Sequence, residues 1–171
     1  TADRVYLGTP FPPYSFAASF NVGYKGFDLL VEGQGVAGNK IYTQRRTQNF
    51  ATLNYEANRL NAWTGPGSSN VEPILDSRRG NNYLFSSYWL EPGDYFRLRT
   101  IQVGYNFNAL ALSKIHVKQA RVYLSGQNVK TWSRVSGFSP EAPIGDILGG
   151  GADNGIYPVP ATYSVGLNLT F

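Results

Sequence analysis

Five segments of the chain alternate apolar and polar residues with a period of two, which predicts β-strands with two unlike faces. The segments are Tyr14–Tyr24, Phe27–Gly35, Tyr95–Phe107, Ala120–Lys130 and Thr162–Phe171. Lys25 and Gly26, between the first two segments, predict a tight turn that joins them into a hairpin. The pattern therefore predicts an all-β protein built on an antiparallel sheet.

The length and the ends of these strands favour a membrane-spanning sheet. The segments have ~10 residues or more, enough to cross a bilayer at a tilt of ~45°, whereas soluble strands mostly have about five to six. Aromatic residues stand at both ends of the apolar faces, as in the girdles of outer-membrane barrels. Four polar residues on the opposite faces are predicted to face a water-filled lumen: Asp28, Glu32, Gln34 and Arg121. A soluble or secreted β-sandwich that binds carbohydrate remains the alternative.

Short and long connections alternate along the chain, as in barrels with periplasmic turns and extracellular loops. The long connections, Gly38–Asp94 and Thr131–Pro160, are therefore predicted to be extracellular. Aromatic residues in or beside these loops are candidates for contact with a substrate or a lid protein: Trp63, Tyr83, Tyr88, Trp89 and Trp132. Packing within the loops, or a place in the girdle, is the alternative for each. Apolar residues at helical spacing also predict a short amphipathic helix within Thr43–Ala62.

The composition leaves little room for catalysis or metal binding. The 171 residues include no Cys and one His, which excludes thiolate and His-rich metal sites. No spacing of the 11 acidic residues singles out a catalytic pair, so we expect no enzymatic activity and no cofactor. Asp146, Asp153 and Asn154 could offer oxygen ligands to Ca²⁺, but a turn is the stronger reading of this Gly-rich segment. The net charge of +4 is spread along the chain and does not indicate nucleic-acid binding.

Five strands are too few to close a barrel, because bacterial barrels need at least ~8 strands and an open edge cannot face lipid. The chain is therefore expected to be the carboxyl-terminal piece of a larger barrel, or a subunit of one. It resembles the SusC/RagA family of TonB-dependent outer-membrane transporters of the Bacteroidetes in a series of motifs that occur in the family's order. These motifs are Gly8–Pro12, Tyr24–Leu29, Gly35–Tyr42, Tyr95–Arg99, Val103–Tyr105, Arg121–Asn128, Gly137–Glu141, Tyr157–Pro160 and Tyr163–Phe171.

The resemblance implies a roughly 22-stranded antiparallel transmembrane β-barrel with long extracellular loops. Residues 1–171 would be its carboxyl-terminal portion of about five strands, without the plug and the amino-terminal strands. The implied function is import of oligosaccharides or peptides through the outer membrane of a Gram-negative, Bacteroidetes-type bacterium. A SusD-like surface lipoprotein would act as a lid, and the TonB complex would act through the missing amino-terminal part. A barrel without a plug, working as a porin or in a secretion assembly, is the alternative.

The last strand resembles the signal that the barrel-assembly machinery reads on outer-membrane proteins. An aromatic terminal residue follows apolar residues at alternate positions: Tyr163, Val165, Leu167, Leu169 and Phe171. The same side chains would also face outer-membrane lipid, and lipid contact without a signal role is the alternative. Both readings place the strand in the membrane.

Overall fold

The computed structural model describes residues 4–44, 56–75, 82, 84–107, 117–142 and 150–171. These residues form one five-stranded and one two-stranded antiparallel sheet. The strands are β1 (Tyr14–Tyr24), β2 (Phe27–Ala37), β3 (Lys40–Tyr42), β4 (Leu90–Pro92), β5 (Tyr95–Asn106), β6 (Gln119–Ser133) and β7 (Thr162–Thr170). The large sheet has the order β1-β2-β5-β6-β7, and β3 pairs with β4. No helix in the described ranges is long and apolar enough to span a membrane.

The five strands that alternation predicts are the five strands of the large sheet. The bounds of β1 are those predicted, and β2 runs two residues further than Gly35. The prediction for β6 stopped at Lys130 and was wrong at that end, because the strand continues to Ser133. The cause is a β-bulge, a local insertion that disturbs the alternation: Thr100 pairs with Gln127, and Leu98 then pairs with Lys130.

The predicted hairpin turn between β1 and β2 is confirmed. Tyr24 pairs with Phe27, which leaves a two-residue loop of Lys25 and Gly26. Both loop residues have positive φ, 47° and 89°. Two positive φ values define the type I′ turn, whose twist matches that of the strands it joins. Gly26 adopts this conformation without steric cost, whereas Lys25 adopts it against its preference.

The register aligns the apolar side chains of all five strands on one face of the sheet. Residues directly opposite each other in a ladder point to the same side. One row of the apolar face, read from β1 to β7, consists of Val22, Leu29, Val103, Leu124 and Val165. The neighbouring row points to the other side, here called the polar face, and consists of Gly23, Asp28, Gly104, Tyr123 and Gly166.

Aromatic rings border the apolar face at both ends of the strands. At the end away from the Lys25–Gly26 turn, the ring of Phe96 stacks with Phe16 at 6.4 Å and with Trp132 at 5.7 Å. At the turn end, Tyr105 contacts Phe27 at 4.7 Å and Phe107 at 5.1 Å. Two aromatic rows that flank an apolar band are the arrangement of the girdles in membrane barrels.

The apolar face is not covered by protein in the described ranges. The side chains of Val165 and Leu167 are 75% and 60% exposed, and the small sheet of β3 and β4 does not pack on the large one. A β-sandwich buries these side chains between two sheets. The sandwich alternative is therefore wrong for this chain. The fully buried side chains lie instead among the loops, with Ile41 and Trp89 as the largest apolar ones.

Candidate functional site

The four residues predicted to face a lumen all lie on the polar face of the sheet. Asp28 is opposite Gly104, Glu32 is opposite Thr100 and Gln34 is opposite Arg97, each across the β2–β5 ladder. Arg121 lies opposite Asn106 across the β5–β6 ladder. The register thus places these residues on the same surface, and whether that surface bounds a lumen stays a prediction.

An ion pair joins Asp28 of β2 to Arg121 of β6 across the intervening strand β5. Arg121 Nε donates to Asp28 Oδ1 at 3.0 Å, and Nη2 donates to Oδ2. Asn106 Nδ2 donates to the same Oδ1 at 3.0 Å. The pair passes over Gly104, where a Cβ atom would lie 2.6 Å from Arg121 Nη2 and from Asp28 Oδ1. Glycine at this position allows the contact, which ties three strands together.

A second ion pair ties β5 to the connection after β6. Arg97 is 5% exposed, and its Nη1 lies 2.9 Å from Glu141 Oε2. Its Nε donates to Thr131 Oγ1 at 2.9 Å, and the hydroxyl of Tyr95 donates to Glu141 Oε1 at 3.1 Å. The charge of Arg97 is therefore neutralised within the chain.

The connections at the end of the sheet opposite the Lys25–Gly26 turn pack together. We call this region the loop layer; it consists of the described residues within 38–44, 56–94, 134–142 and 150–160. Backbone hydrogen bonds hold it together: Lys40 N donates to Thr9 O at 2.8 Å, and Tyr42 N donates to Gly151 O at 2.9 Å. Asp153 N in turn donates to Tyr42 O at 2.8 Å. Segments far apart in sequence thus meet around β3.

A buried polar cluster in the loop layer was not predicted from the sequence. Glu72 accepts hydrogen bonds from Arg59 Nη1 at 3.2 Å, Tyr88 Oη at 2.7 Å and Asn58 Nδ2 at 3.2 Å. The guanidinium of Arg59 also lies 5.4 Å from the ring centroid of Trp89. Both charged partners are buried, so this is a low-dielectric ion pair.

The helix predicted within Thr43–Ala62 falls partly on residues 45–55, which lie outside the described residues. In the described part, Ala57–Asn61 forms a 3₁₀ helix. Leu60, predicted to be on the apolar side of the helix, is 89% exposed, whereas Arg59 is buried. The prediction is wrong here because the ion pair with Glu72 and the contact with Trp89 draw Arg59 inward.

The predicted loop aromatics have different surroundings. Trp89 is fully buried and packs edge-on against Tyr88. Its ring is therefore inaccessible to a substrate or a lid protein, and it packs within the loops, as in the alternative interpretation. Trp132 stands on the apolar face, stacked with Phe96, which favours the girdle alternative. Trp63 is 38% exposed in the loop layer, and Tyr88 is half-buried. Tyr83 lies outside the described residues.

The segment considered for Ca²⁺ contains a turn at Asp153. Its buried carboxylate accepts hydrogen bonds from the backbone N–H groups of Gly155 at 2.9 Å and Ile156 at 3.2 Å. Asn154 is exposed, and Asp146 lies outside the described residues. Within the described ranges, no group of three or more His, Asp or Glu side chains could hold a metal ion.

Strand β7 carries the residues of the predicted assembly signal on the apolar face. Val165 pairs with Leu124 and Leu167 with Val122, so the β7 residues continue the apolar rows of β6. Tyr163, Leu169 and Phe171 are exposed as well. The other side of β7 pairs with no described strand, which leaves its backbone free to pair with a strand outside this chain.

Comparison with known proteins finds relatives over the whole chain. The chain is 31% identical over 180 residues to the TonB-dependent receptor P26 of Formosa agariphila, and 31% identical over 182 residues to the TonB-dependent receptor P3 of that organism. Each alignment covers 100% of this chain but only 18% of the relative. No protein-family model matches the chain.

Solved structures share the fold. The RagAB peptide importer in the open-open state superposes with a TM-score of 0.77 at 26% identity, over 94% of this chain and 17% of that one. The closed-closed state gives a TM-score of 0.77 at 25% identity, over 96% of this chain and 18% of the other. The five-stranded sheet and its loops thus match one portion of much longer chains.

Proposed function

We propose an import function for this chain on the premise that it belongs to the SusC/RagA type of TonB-dependent receptors, of which it spans a part. The sheet is a section of the transmembrane β-barrel. We place that barrel in the outer membrane of a Gram-negative, Bacteroidetes-type bacterium, where the polar face lines the passage for nutrients. The loop layer then stands on the outer surface.

The observation that carries this proposal is the uncovered apolar face. Its side chains form continuous rows over five strands, are half-buried or exposed, and have aromatic rings at both ends. Exposed apolar surface of this extent is unfavourable in water and favourable against acyl chains. Outer-membrane lipid is the cover that suits it, and the opposite face, with its ion pairs and amides, suits water.

The relatives support a proposal for the substrates and the partners. The matched RagAB structures are of a peptide importer, and we propose peptides or oligosaccharides as the imported solutes here. A SusD-like surface lipoprotein would close over the loop layer, and the TonB complex would supply energy through a part of the protein outside this chain. The chain itself would bind and pass solutes without catalysing a reaction.

Uptake by cells tests the import function. A strain that lacks the receptor and a strain complemented with the full-length gene are given a mixture of short peptides and oligosaccharides, and depletion from the medium is followed by mass spectrometry. We expect depletion of specific solutes only in the complemented strain, and its loss when a protonophore collapses the proton gradient. Depletion that survives the protonophore would favour the porin alternative, and equal depletion in both strains would contradict import.

We further propose that β7 is the signal for barrel assembly. Its apolar residues and Phe171 lie on one face next to an edge that pairs with no described strand, where an assembly factor can pair with the backbone. Deleting Phe171 from the full-length protein should lower its amount in the outer membrane. Phe171→Tyr, which keeps an aromatic ring, is the control and should assemble normally; normal assembly of the deletion would overturn the proposal.

A further inference from the structure

We propose that Arg99 forms a binding site for a substrate carboxylate on the polar face of the sheet. The inference rests on the import function proposed above, because a solute reaches this side chain only if it passes along the polar face. It concerns one point on the wall of the passage, separate from the ion pairs already described.

A β-bulge places Arg99 on the polar face. Glu32 pairs with Thr100, and the next residue of β2, Gly33, pairs with Leu98, so Arg99 is an extra residue in β5. Its Nη1 donates to Gln34 Oε1 at 2.9 Å, and Gln34 belongs to the polar face. Bulges redirect side chains in this way and are frequent beside functional sites.

The charge of Arg99 is not neutralised by the described residues, in contrast to its neighbours. Arg97 is paired with Glu141, and Arg121 is paired with Asp28. Arg99 is exposed, and its hydrogen bond to the neutral amide of Gln34 uses one of its five N–H donors. A guanidinium with free donors is suited to a two-pronged contact with a carboxylate.

The surroundings of Arg99 form a depression that is large enough for a ligand group. Its volume is about 630 Å³, within the range of roughly 300–1,000 Å³ of small-molecule sites. Besides Arg99, its polar lining includes Ser19, Glu32, Gln34, Thr100 and Gln127. The amides and hydroxyls can hydrogen-bond the rest of a solute, and Arg99 is the cation among these lining residues.

Two classes of solute carry the carboxylate that this site would take. A peptide offers a free carboxyl terminus or an acidic side chain, and an oligosaccharide offers it through uronic acid residues. The chemistry at Arg99 is the same for both, so the test contains both classes, each with a matched copy from which the charge has been removed.

The test measures uptake by cells that express the full-length receptor. The medium contains short peptides with free and with amidated carboxyl termini, and oligogalacturonides with and without methyl esters. The variants are Arg99→Gln and Arg99→Lys, with Arg134→Gln as a control that removes an exposed arginine from the loop layer.

We expect Arg99→Gln to lower uptake of the carboxylate-bearing members by roughly tenfold, the effect of losing one charged hydrogen-bonded contact. Uptake of the amidated or esterified members should stay unchanged, uptake by Arg99→Lys should lie between that of Arg99→Gln and the unchanged receptor, and the Arg134→Gln control should not lower carboxylate uptake. The class that responds, peptide or uronate, identifies the source of the carboxylate. Receptor-dependent uptake that is insensitive to Arg99→Gln, or lowered equally for charged and neutral members, would overturn this inference alone. Absence of any receptor-dependent uptake would count against the import function as well.

Discussion

Val165 in the sheet is 75% exposed and Trp89 in the loop layer is fully buried, although both are large apolar residues. The difference holds for the two regions as a whole. The loop layer has an interior with buried side chains and a buried ion pair, as in a water-soluble protein. The large sheet carries its apolar side chains outward in rows. A region that packs against itself thus lies beside a region whose apolar side chains the described residues leave uncovered.

The largest effect is expected in the loop layer, at the buried pair of Arg59 and Glu72. Glu72→Ala removes the carboxylate that Arg59 contacts in this buried pair, which should destabilise the layer by about 3–5 kcal/mol. Limited proteolysis of the full-length receptor checks this, with faster cleavage in the loops and an intact barrel as the expected result. Glu72→Gln, which keeps hydrogen-bond acceptance, should be cleaved at an intermediate rate. Unchanged cleavage of the alanine variant would show that the layer does not depend on this pair.

An arginine introduced on the apolar face tests whether that face of the sheet lies against lipid. Val103→Arg should destabilise the folded barrel by about 2–4 kcal/mol, the cost of an arginine facing the middle of the bilayer. Gln102→Arg, one residue earlier on the polar face, should have little effect. Urea titration of the full-length protein in lipid vesicles compares the two. Equal losses of stability at both positions would remove the distinction between the faces.

A smaller effect is expected where Asp28 and Arg121 meet above Gly104. Gly104→Ala places a Cβ atom within 2.6 Å of both polar groups and should push the pair apart. Since the two side chains are partly exposed, we expect a loss of about 1 kcal/mol. In an Asp28→Asn background, Gly104→Ala should lower the free energy of unfolding by a smaller amount. The same urea titration measures both losses. An equal cost in both backgrounds would mean that the glycine serves the backbone and not the ion pair.

The smallest effect is a gain at the hairpin turn. Lys25 has a positive φ of 47°, which is unfavourable for lysine, whereas Asn-Gly is the preferred sequence of a type I′ turn. Lys25→Asn should therefore stabilise the barrel by about 0.5–1 kcal/mol. Lys25→Ala keeps the unfavourable conformation and should give no gain. A gain for alanine equal to that for asparagine would point to the lost charge as its cause.

The sheet could be predicted from the sequence because its information is local. Alternation over Tyr14–Tyr24 is enough to give β1 with its bounds, and alternation in the other segments gives the face of each residue. The prediction failed at the bulges, where an extra residue such as Arg99 or Asn128 interrupts the period. Asn128 has a φ of 52°, and nothing in the alternation marks it as the exception.

The packing of the loop layer and the ion-pair partners on the polar face could not be predicted, because they depend on contacts between residues distant in sequence. Helical spacing put Leu60 inside, but the contact of Arg59 with Glu72 reverses the orientation of that turn. Asp28 and Arg121 are 93 positions apart, so the pattern gives their common face but not their ion pair. The exposure of Trp63 and the burial of Trp89 likewise follow from the loop fold and not from residue type.

The central claim is that one face of the sheet is covered by lipid and the other by water. Spin labels at successive positions of β5, from Thr100 to Tyr105, test it most directly in the full-length receptor in lipid vesicles, after any cysteines elsewhere in the protein have been replaced. The measured quantity is the accessibility of each label to oxygen divided by its accessibility to a water-soluble nickel chelate. A lipid-covered apolar face predicts a higher ratio at positions 101, 103 and 105 than at positions 100 and 102. A ratio that does not alternate along β5, or that alternates with the opposite phase, would contradict it.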